Sequence, residues 1–411
     1  MTPAQPVWMW CLFPGVAMSL GWMLRGYIGG GFLGAMIPGA MVALALCLLL
    51  KRETEAGLVA GFAAVGVGFG GQETYGQTVG LSLLPASYWW AILGFFLKGG
   101  VWGLLGGAII GISFSRRLHR AADLVVAFAL MIAGTFVGWK LVNQPKLIYF
   151  SDPVNKPREE LWFGLLLGAV LLLAWLWLRS RRGVRLPLQF ATWGFIGGSA
   201  GFALGAAAQV WGRHNMPDFQ FDWWKLMEGI FGALLGLAYG YCAWRNREHI
   251  PPGADVARTF AIPRAIAWAA LSIGITLLLE PRLGTRFEST LAGSLLLTIA
   301  LFSEHFSWHT GITTTFCAFM IDLVRHHREW PPELAWTLVV AATVAVAIFV
   351  ARRPRSLDLF LLITWTAVGV GLLKSFFMPG FPVTLPGMEI VFVLFAVLIS
   401  FLARNIAKEQ Q

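Results

Sequence analysis

The residues best placed for chemistry are charged side chains inside long apolar segments. Lys98 lies about ten residues into such a segment, so a helix would place it about 15 Å deep. Glu73 lies in the preceding apolar segment, within the polar sequence GQETYGQ. A charge in hydrocarbon is costly unless it is paired or faces water. The sequence therefore predicts either a structural Lys98–Glu73 ion pair or a site that handles a substrate or a proton.

The segment around Glu73 is both polar and rich in glycine. Gln72 and Thr74 flank the carboxylate, and four glycines lie nearby, namely Gly68, Gly70, Gly71 and Gly76. Glycine weakens a helix, and glycine-interrupted membrane segments point to binding sites. We therefore expect Gln72, Glu73 and Thr74 to contribute to a substrate site.

Three further charged residues complete the predicted substrate site. Arg25 and Lys140 each end an apolar segment, at related positions of an internal repeat, which favours one shared outward cavity. The alternative is that both are interfacial anchors. Glu228, aligned in the second repeat with the residue after Lys98, is a secondary acidic candidate, with ordinary loop polarity as the alternative. The predicted substrate-binding set is Arg25, Gln72, Glu73, Thr74, Lys98, Lys140 and Glu228.

A second polar segment, SEHFSWHTGITTTF, contains two histidines. His305 and His309 are four residues apart and share one face of a helix, with Glu304 adjacent. Zinc sites need a third or fourth ligand, and the sequence lacks HEXXH, so we predict no metal. We predict that Glu304, His305 and His309 form a polar gate or proton path, with a purely structural role as the alternative.

The composition indicates that these residues are carried by transmembrane helices. The 411 residues are 57% hydrophobic and 13% charged, whereas soluble domains carry about 25% charged residues. Apolar runs long enough to cross a bilayer recur along the chain. We predict an all-α polytopic membrane protein of about fourteen transmembrane helices. The segments 57–78 and 305–324 are each predicted as one helix.

Basic clusters follow alternate apolar segments, as in the cytoplasmic loops of membrane proteins. This pattern predicts a multi-pass protein of a bacterial-type inner membrane with both termini in the cytoplasm. The net charge of +10 is dispersed among these short clusters, which argues against nucleic-acid binding.

Internal similarity predicts two parallel four-helix repeats. Trp89-Trp90 corresponds to Trp223-Trp224, and the glycine ridge from Gly103 corresponds to the ridge from Gly232, so both ridges predict close helix packing. The predicted domains are repeat 1 at 1–118, repeat 2 at 119–250, and a C-terminal bundle of about six helices at 251–411.

The sequence lacks the motifs of several enzyme classes. It has no Walker A sequence, no dinucleotide fingerprint and no bis-histidine pattern on paired helices, so we predict no cofactor. The favoured hypothesis is a transporter or flippase that moves a small polar, anionic or sugar-like solute through an outward-facing vestibule. The alternatives are a membrane-embedded transferase or hydrolase acting on a lipid-linked substrate, and a non-catalytic subunit of a membrane complex. In each case the lipid bilayer is a partner.

Overall fold

The computed structural model describes residues 5–28, 30–73, 75–154, 157–219, 221–251, 261–279, 287–326, 330–352, 355–377 and 387–409. Within these ranges every regular element is helical. The helices, in chain order, are α1 Val7–Arg25, α2 Gly31–Leu49, α3 Ala56–Gly70, α4 Gly76–Ser82, α5 Tyr88–Phe114, α6 Ala121–Gly138, α7 Trp162–Arg179, α8 Arg185–Asn215, α9 Trp223–Asn246, α10 Ile262–Leu279, α11 Glu288–Phe302, α12 Glu304–Trp308, α13 Thr314–His326, α14 Pro332–Ala351, α15 Ser356–Phe377 and α16 Gly387–Lys408.

The chain is a multi-pass membrane protein. Ten of the described helices are long and apolar enough to cross a bilayer, namely α1, α2, α5, α6, α7, α9, α10, α14, α15 and α16. Of the others, α8 is 31 residues long but more polar, and α3 and α11 have 15 residues each. Both the all-helical class and the membrane location agree with the sequence prediction.

Two segments predicted as single helices are interrupted. In 57–78, α3 ends at Gly70 and the chain turns before α4 begins at Gly76. In 305–324, α12 is followed by a π-helical turn at His309–Thr313 and then by α13. Both interruptions fall in polar, glycine-containing sequence, where the helix has least intrinsic stability.

The two glycine ridges bring helices into close backbone contact. A Cβ atom on Gly103 of α5 would lie 1.9 Å from the carbonyl oxygen of Gly194 in α8. A Cβ atom on Gly240 of α9 would lie 1.8 Å from the carbonyl oxygen of Trp10 in α1. Only glycine permits these approaches. The ridge of α5 therefore packs along α8, whereas the ridge of α9 packs along α1.

Candidate functional site

A cavity of about 390 Å³ lies where α1 ends and α2 begins. It opens at the surface, since Gly26, Gly31 and Arg158 of its lining are exposed. The polar and aromatic side chains that line it are Arg25, Glu73, Tyr75, Arg158, Trp224 and Glu228. Three of these, Arg25, Glu73 and Glu228, belong to the predicted substrate site.

The loop between α3 and α4 carries Glu73 and Tyr75 to the cavity. Its path is fixed at two glycines. A Cβ atom on Gly70 would lie 1.2 Å from the indole of Trp102, and one on Gly71 would lie 2.2 Å from the carbonyl oxygen of Gly31. The indole nitrogen of Trp102 donates a hydrogen bond of 2.9 Å to the carbonyl of Val67, near the end of α3. The loop is thereby held against α2 and α5.

Arg25 is the buried cation of this cavity. Its side chain is only 5% exposed, and the guanidinium carbon lies 5.2–5.5 Å from the ring centroids of Trp22, Tyr75 and Trp102. Nη1 donates to the Tyr75 hydroxyl at 2.8 Å, and Nη2 donates to the Gly71 carbonyl at 3.4 Å. Aromatic faces and neutral oxygens therefore stabilise most of its charge.

Glu228 receives three side-chain hydrogen bonds. The Tyr75 hydroxyl and the Trp224 indole donate to Oε1, and Lys225 Nζ donates to Oε2 at 2.9 Å. Burial, and then the negative charge of Glu228, raise the pKa of the Tyr75 phenol, which lies in the loop outside the spanning helices. Tyr75 therefore stays protonated and donates to Glu228 while accepting from Arg25. We call this arrangement the Arg25–Tyr75–Glu228 chain.

Lys98 lies in a separate, enclosed cluster and does not line the cavity. It is fully buried, and its Nζ donates to Glu160 Oε1 at 2.7 Å and to Thr78 Oγ1 at 3.1 Å. Glu160, also fully buried, accepts further hydrogen bonds from the Phe150 amide and the Ser151 hydroxyl. We call this the Lys98–Glu160 cluster. Its charges are compensated within the protein.

Glu73 connects the two groups. It lines the cavity, and its Oε2 lies 3.7 Å from Lys98 Nζ. Its Oε1 accepts a hydrogen bond from the Leu161 amide. The predicted Lys98–Glu73 pair is therefore present, but the closer acidic partner of Lys98 is Glu160.

Two further predicted site residues, Gln72 and Lys140, are not part of the cavity lining. Gln72 accepts a hydrogen bond of 3.0 Å from Thr290. Lys140 is exposed, with its ammonium 4.2 Å from the centroid of Trp139, as an interfacial anchor would be. Thr74 lies outside the described residues.

The predicted gate residues lie at the opposite end of the bundle. Burial raises the pKa of Glu304 in α12, which lies near Arg116 and Glu55 of the loops that carry the basic clusters. His309 is fully buried in the π turn, where its Nδ1 lies 2.9 Å from Thr313 Oγ1. His305 lies on α12. Within the part of the chain described, no group of three His, Cys, Asp or Glu side chains is placed to hold a metal.

Of the residues that line the cavity or pair with its charges and with Lys98, five were not identified from the sequence: Tyr75, Arg158, Trp224, Lys225 and Glu160. Tyr75 lies inside the GQETYGQ motif, two residues after Glu73, and this proximity could have indicated that it belongs to the site. Lys225 lies three residues before Glu228, a spacing that places both on one helix face. Glu160 directly precedes the apolar segment of α7, but its long-range contact with Lys98 has no local sequence pattern.

Comparison with known proteins shows a similarity to a bacterial protein. The chain is 28% identical over 204 residues to the Heme A synthase of Rhizorhabdus wittichii. The match covers 47% of this chain and 55% of the relative, so it spans little more than half of that protein. No protein-family model matches the chain, and no solved structure matches it.

This similarity contradicts the favoured functional hypothesis. The relative is a membrane enzyme, so the prediction of a transporter or flippase is wrong. The physical source of the error is that buried charges beside a polar cavity are common to carriers and to membrane enzymes. The bacterial origin of the relative agrees with the predicted inner membrane, but it does not test the orientation of the termini.

Proposed function

We propose that this chain is a membrane-embedded enzyme with its active site in the cavity bounded by Arg25, Tyr75 and Glu228. The observation that carries the proposal is a phenol hydroxyl hydrogen-bonded to a buried guanidinium on one side and to a buried carboxylate on the other, on the wall of an open cavity. The similarity to a membrane enzyme supports the same conclusion.

The chemistry that this arrangement favours is proton transfer during group transfer or hydrolysis on a membrane-borne substrate. Tyr75 passes its hydroxyl proton to Glu228 and takes a proton from a substrate hydroxyl or from water. The oxygen thereby deprotonated attacks the electrophilic centre of the substrate, and the bond to the leaving group breaks as Glu228 returns its proton through Tyr75 to that group. Arg25, at 2.8 Å, stabilises the negative charge that develops on the Tyr75 oxygen. General acid–base catalysis of this kind contributes about 10²–10⁴-fold.

Neighbouring residues hold the Arg25–Tyr75–Glu228 chain in place. Tyr75 contacts Oε1 of Glu228, and Lys225 pairs with the other carboxylate oxygen, Oε2. Trp22 and Trp102 pack edge to face with their ring centroids 4.7 Å apart and cover Arg25. Excluding water in this way strengthens electrostatic interactions inside the site.

The relative's name suggests heme as the substrate class. The residues that line the cavity do not form a set of ligands for heme iron. Among the described lining residues there is no His, Cys or Met. Tyr75 keeps its proton because its pKa is raised, whereas a tyrosine that ligates heme iron does so as a phenolate. His309 has a buried Nε2 without a hydrogen-bond partner, but it is not part of the cavity lining. The proposed chemistry therefore uses no heme.

The finer architecture is also a proposal: fourteen crossings, two four-helix repeats at 1–118 and 119–250, a bundle at 251–411, and both termini in the cytoplasm. Its support is the shared location of the basic clusters. Arg117 Nε lies 3.8 Å from Glu55 Oε1, so the α2–α3 and α5–α6 loops meet at one end of the bundle. The cavity lies at the other end, which this orientation makes the outer face.

The enzyme proposal is tested by turnover in a reconstituted bilayer. Protein in nanodiscs is incubated with a total bacterial membrane extract, and the consumed and formed species are identified by mass spectrometry. The variants are Glu228→Gln, which keeps the shape and the acceptor oxygen, and Tyr75→Phe, which keeps the ring. The matched control is Glu304→Gln, at the opposite end of the bundle. Melting temperatures are recorded for all of them.

A product that forms with the wild type and Glu304→Gln, but not with Tyr75→Phe of unchanged melting temperature, supports the proposal. If Glu228→Gln fails to fold, the Tyr75→Phe result decides. The proposal is overturned if the wild type changes no species in the extract, or if both variants retain full turnover.

A further inference from the structure

We infer that Arg25 and the first turn of α2 form a subsite for a phosphate group, carried on an amphiphilic substrate or free in solution. The inference rests on the proposed function, because it names the chemical class that the same cavity takes. It arises from two independent features: backbone amide donors at one wall of the cavity, and a buried cation with an unused donor at another.

The first feature is the N-terminus of α2. Gly30 and Gly31 line the cavity, with φ angles of +65° and +57°, which L side chains rarely adopt. No side chain caps the helix, and a Cβ atom on Gly30 would meet nothing within 4 Å. The first amides of a helix have no partner within it, and the macrodipole adds about half a positive charge there. This end of α2 therefore presents free donors to open space.

The second feature is the state of Arg25. Its Nε is buried without a hydrogen-bond partner, although the side chain lines the cavity. Its nearest carboxylate oxygen, on Glu228, is 3.9 Å away, beyond hydrogen-bond distance. Lys225 already forms the close ion pair with Glu228, at 2.9 Å. Arg25 thus has no counter-ion at hydrogen-bond distance within the described part of the protein, and an external anion would supply one.

A second cation extends the site toward its mouth. Arg158 lines the cavity from the loop that precedes α7 and is exposed. Its backbone amide donates a hydrogen bond of 2.7 Å to the Tyr149 hydroxyl, which ties Arg158 to Tyr149. A second guanidinium at the entrance attracts anions and provides another planar fork of donors.

Phosphate fits this set of donors better than carboxylate does. A phosphate offers oxygens in several directions, so one group can accept from a guanidinium and from helix amides at once. The cavity of about 390 Å³ has room for such a group with part of the molecule that bears it. A bound phosphate would also lie on the same wall as Tyr75, the proposed proton donor and acceptor.

Binding is measured on full-length protein in phosphate-free detergent, by thermal shift and native mass spectrometry. The probes are inorganic phosphate, phosphatidic acid and oleate, the last as a carboxylate control. The variants are Arg25→Lys, which keeps the charge but loses the fork, and Arg158→Gln, which is exposed and should fold normally. Arg181→Gln, exposed at the opposite end, is the matched control.

We expect phosphatidic acid or inorganic phosphate to bind the wild type and Arg181→Gln alike. Affinity should fall about tenfold or more in Arg25→Lys and a few-fold in Arg158→Gln. Binding of phosphatidic acid alone identifies a lipid phosphate, and binding of inorganic phosphate identifies free phosphate; either supports the subsite. Equal binding of oleate, no binding of either phosphate, or unchanged affinity in both variants overturns it.

These measurements separate the two proposals. Phosphate binding without turnover by the wild type would leave the subsite standing and reject the enzyme. Turnover that depends on Tyr75 without phosphate binding would reject the subsite and leave the enzyme standing.

Discussion

The Lys98–Glu160 cluster and the Arg25–Tyr75–Glu228 chain are neighbouring groups of buried charges, connected through Glu73, yet they differ in one respect. The cluster is enclosed, and the charges of Lys98 and Glu160 meet at 2.7 Å. The chain lines a cavity, and Arg25 has no carboxylate within hydrogen-bond distance. Burial of a charge in the membrane therefore does not by itself mark a functional site. An unsatisfied donor on a charged side chain that lines a cavity is the more informative property.

The difference has an energetic basis. A buried ion costs several kcal/mol to desolvate, and only close partners offset that cost. Glu160 gains such partners from Lys98, the Phe150 amide and Ser151. Arg25 relies on aromatic faces and neutral oxygens, which stabilise a cation less than a carboxylate does. The first arrangement favours stability, and the second leaves interaction energy for a ligand.

The largest expected effect is the loss of stability in Lys98→Met. Glu160 would become an uncompensated buried charge, which destabilises by about 3–5 kcal/mol. Thermal unfolding in detergent should show a lower melting temperature, and adding Glu160→Gln should restore part of it. A Lys98→Met protein that melts normally but has lost turnover would place Lys98 in the active site and remove the contrast between the two groups.

Tyr75→Phe should give the next largest effect, on turnover. The ring packing is kept, so stability should fall by only about 1 kcal/mol for the lost hydrogen bonds. Turnover should fall about 100-fold or more, because the path for the proton to Glu228 is removed. Kinetics on the product identified by mass spectrometry would test this. A lowered melting temperature with unchanged turnover would assign Tyr75 to structure, like the enclosed cluster.

The pH profile sharpens the comparison further. Burial and Glu228 raise the pKa of Tyr75, so its phenol should remain protonated between about pH 8 and about pH 10. We expect turnover to show no loss from tyrosine ionisation in that window. The pKa of Tyr75 in the folded protein lies above the ordinary tyrosine value, so the phenol ionises only at higher pH. An alkaline loss of turnover with an apparent pKa near 10 would indicate a solvated Tyr75.

The smallest expected effect is that of Lys140→Ala. Lys140 is exposed and lies over Trp139 rather than in the cavity. Substitutions at exposed positions usually change the free energy of unfolding by less than about 0.5 kcal/mol. An energy change of that size corresponds to about two-fold in rate, so turnover should stay within about two-fold of the wild type. Melting temperature and turnover measured together test this. A large loss of turnover would restore Lys140 to the substrate site and extend the site beyond the cavity.

Composition and local pattern were sufficient for the membrane class and for part of the site. Apolar runs and the positions of Arg25, Glu73 and Glu228 were visible in the sequence, and all three line the cavity. The polarity and glycine content of GQETYGQ marked the loop that carries Glu73 and Tyr75. The continuous helix predicted over 57–78 was wrong: α3 ends at Gly70, in glycine-rich sequence that weakens a helix.

What the sequence by itself determined was the set of charges that must be compensated within the membrane, because each is too costly there to be without a purpose. What only the tertiary structure decided was which of them compensate one another. Lys98 meets Glu160 across 62 positions, and Tyr75 meets Glu228 across 153. Such contacts depend on helix packing, to which residues far apart in the chain contribute jointly, so no local pattern records them. For the same reason the sequence could not separate the enclosed charge pair from the open one.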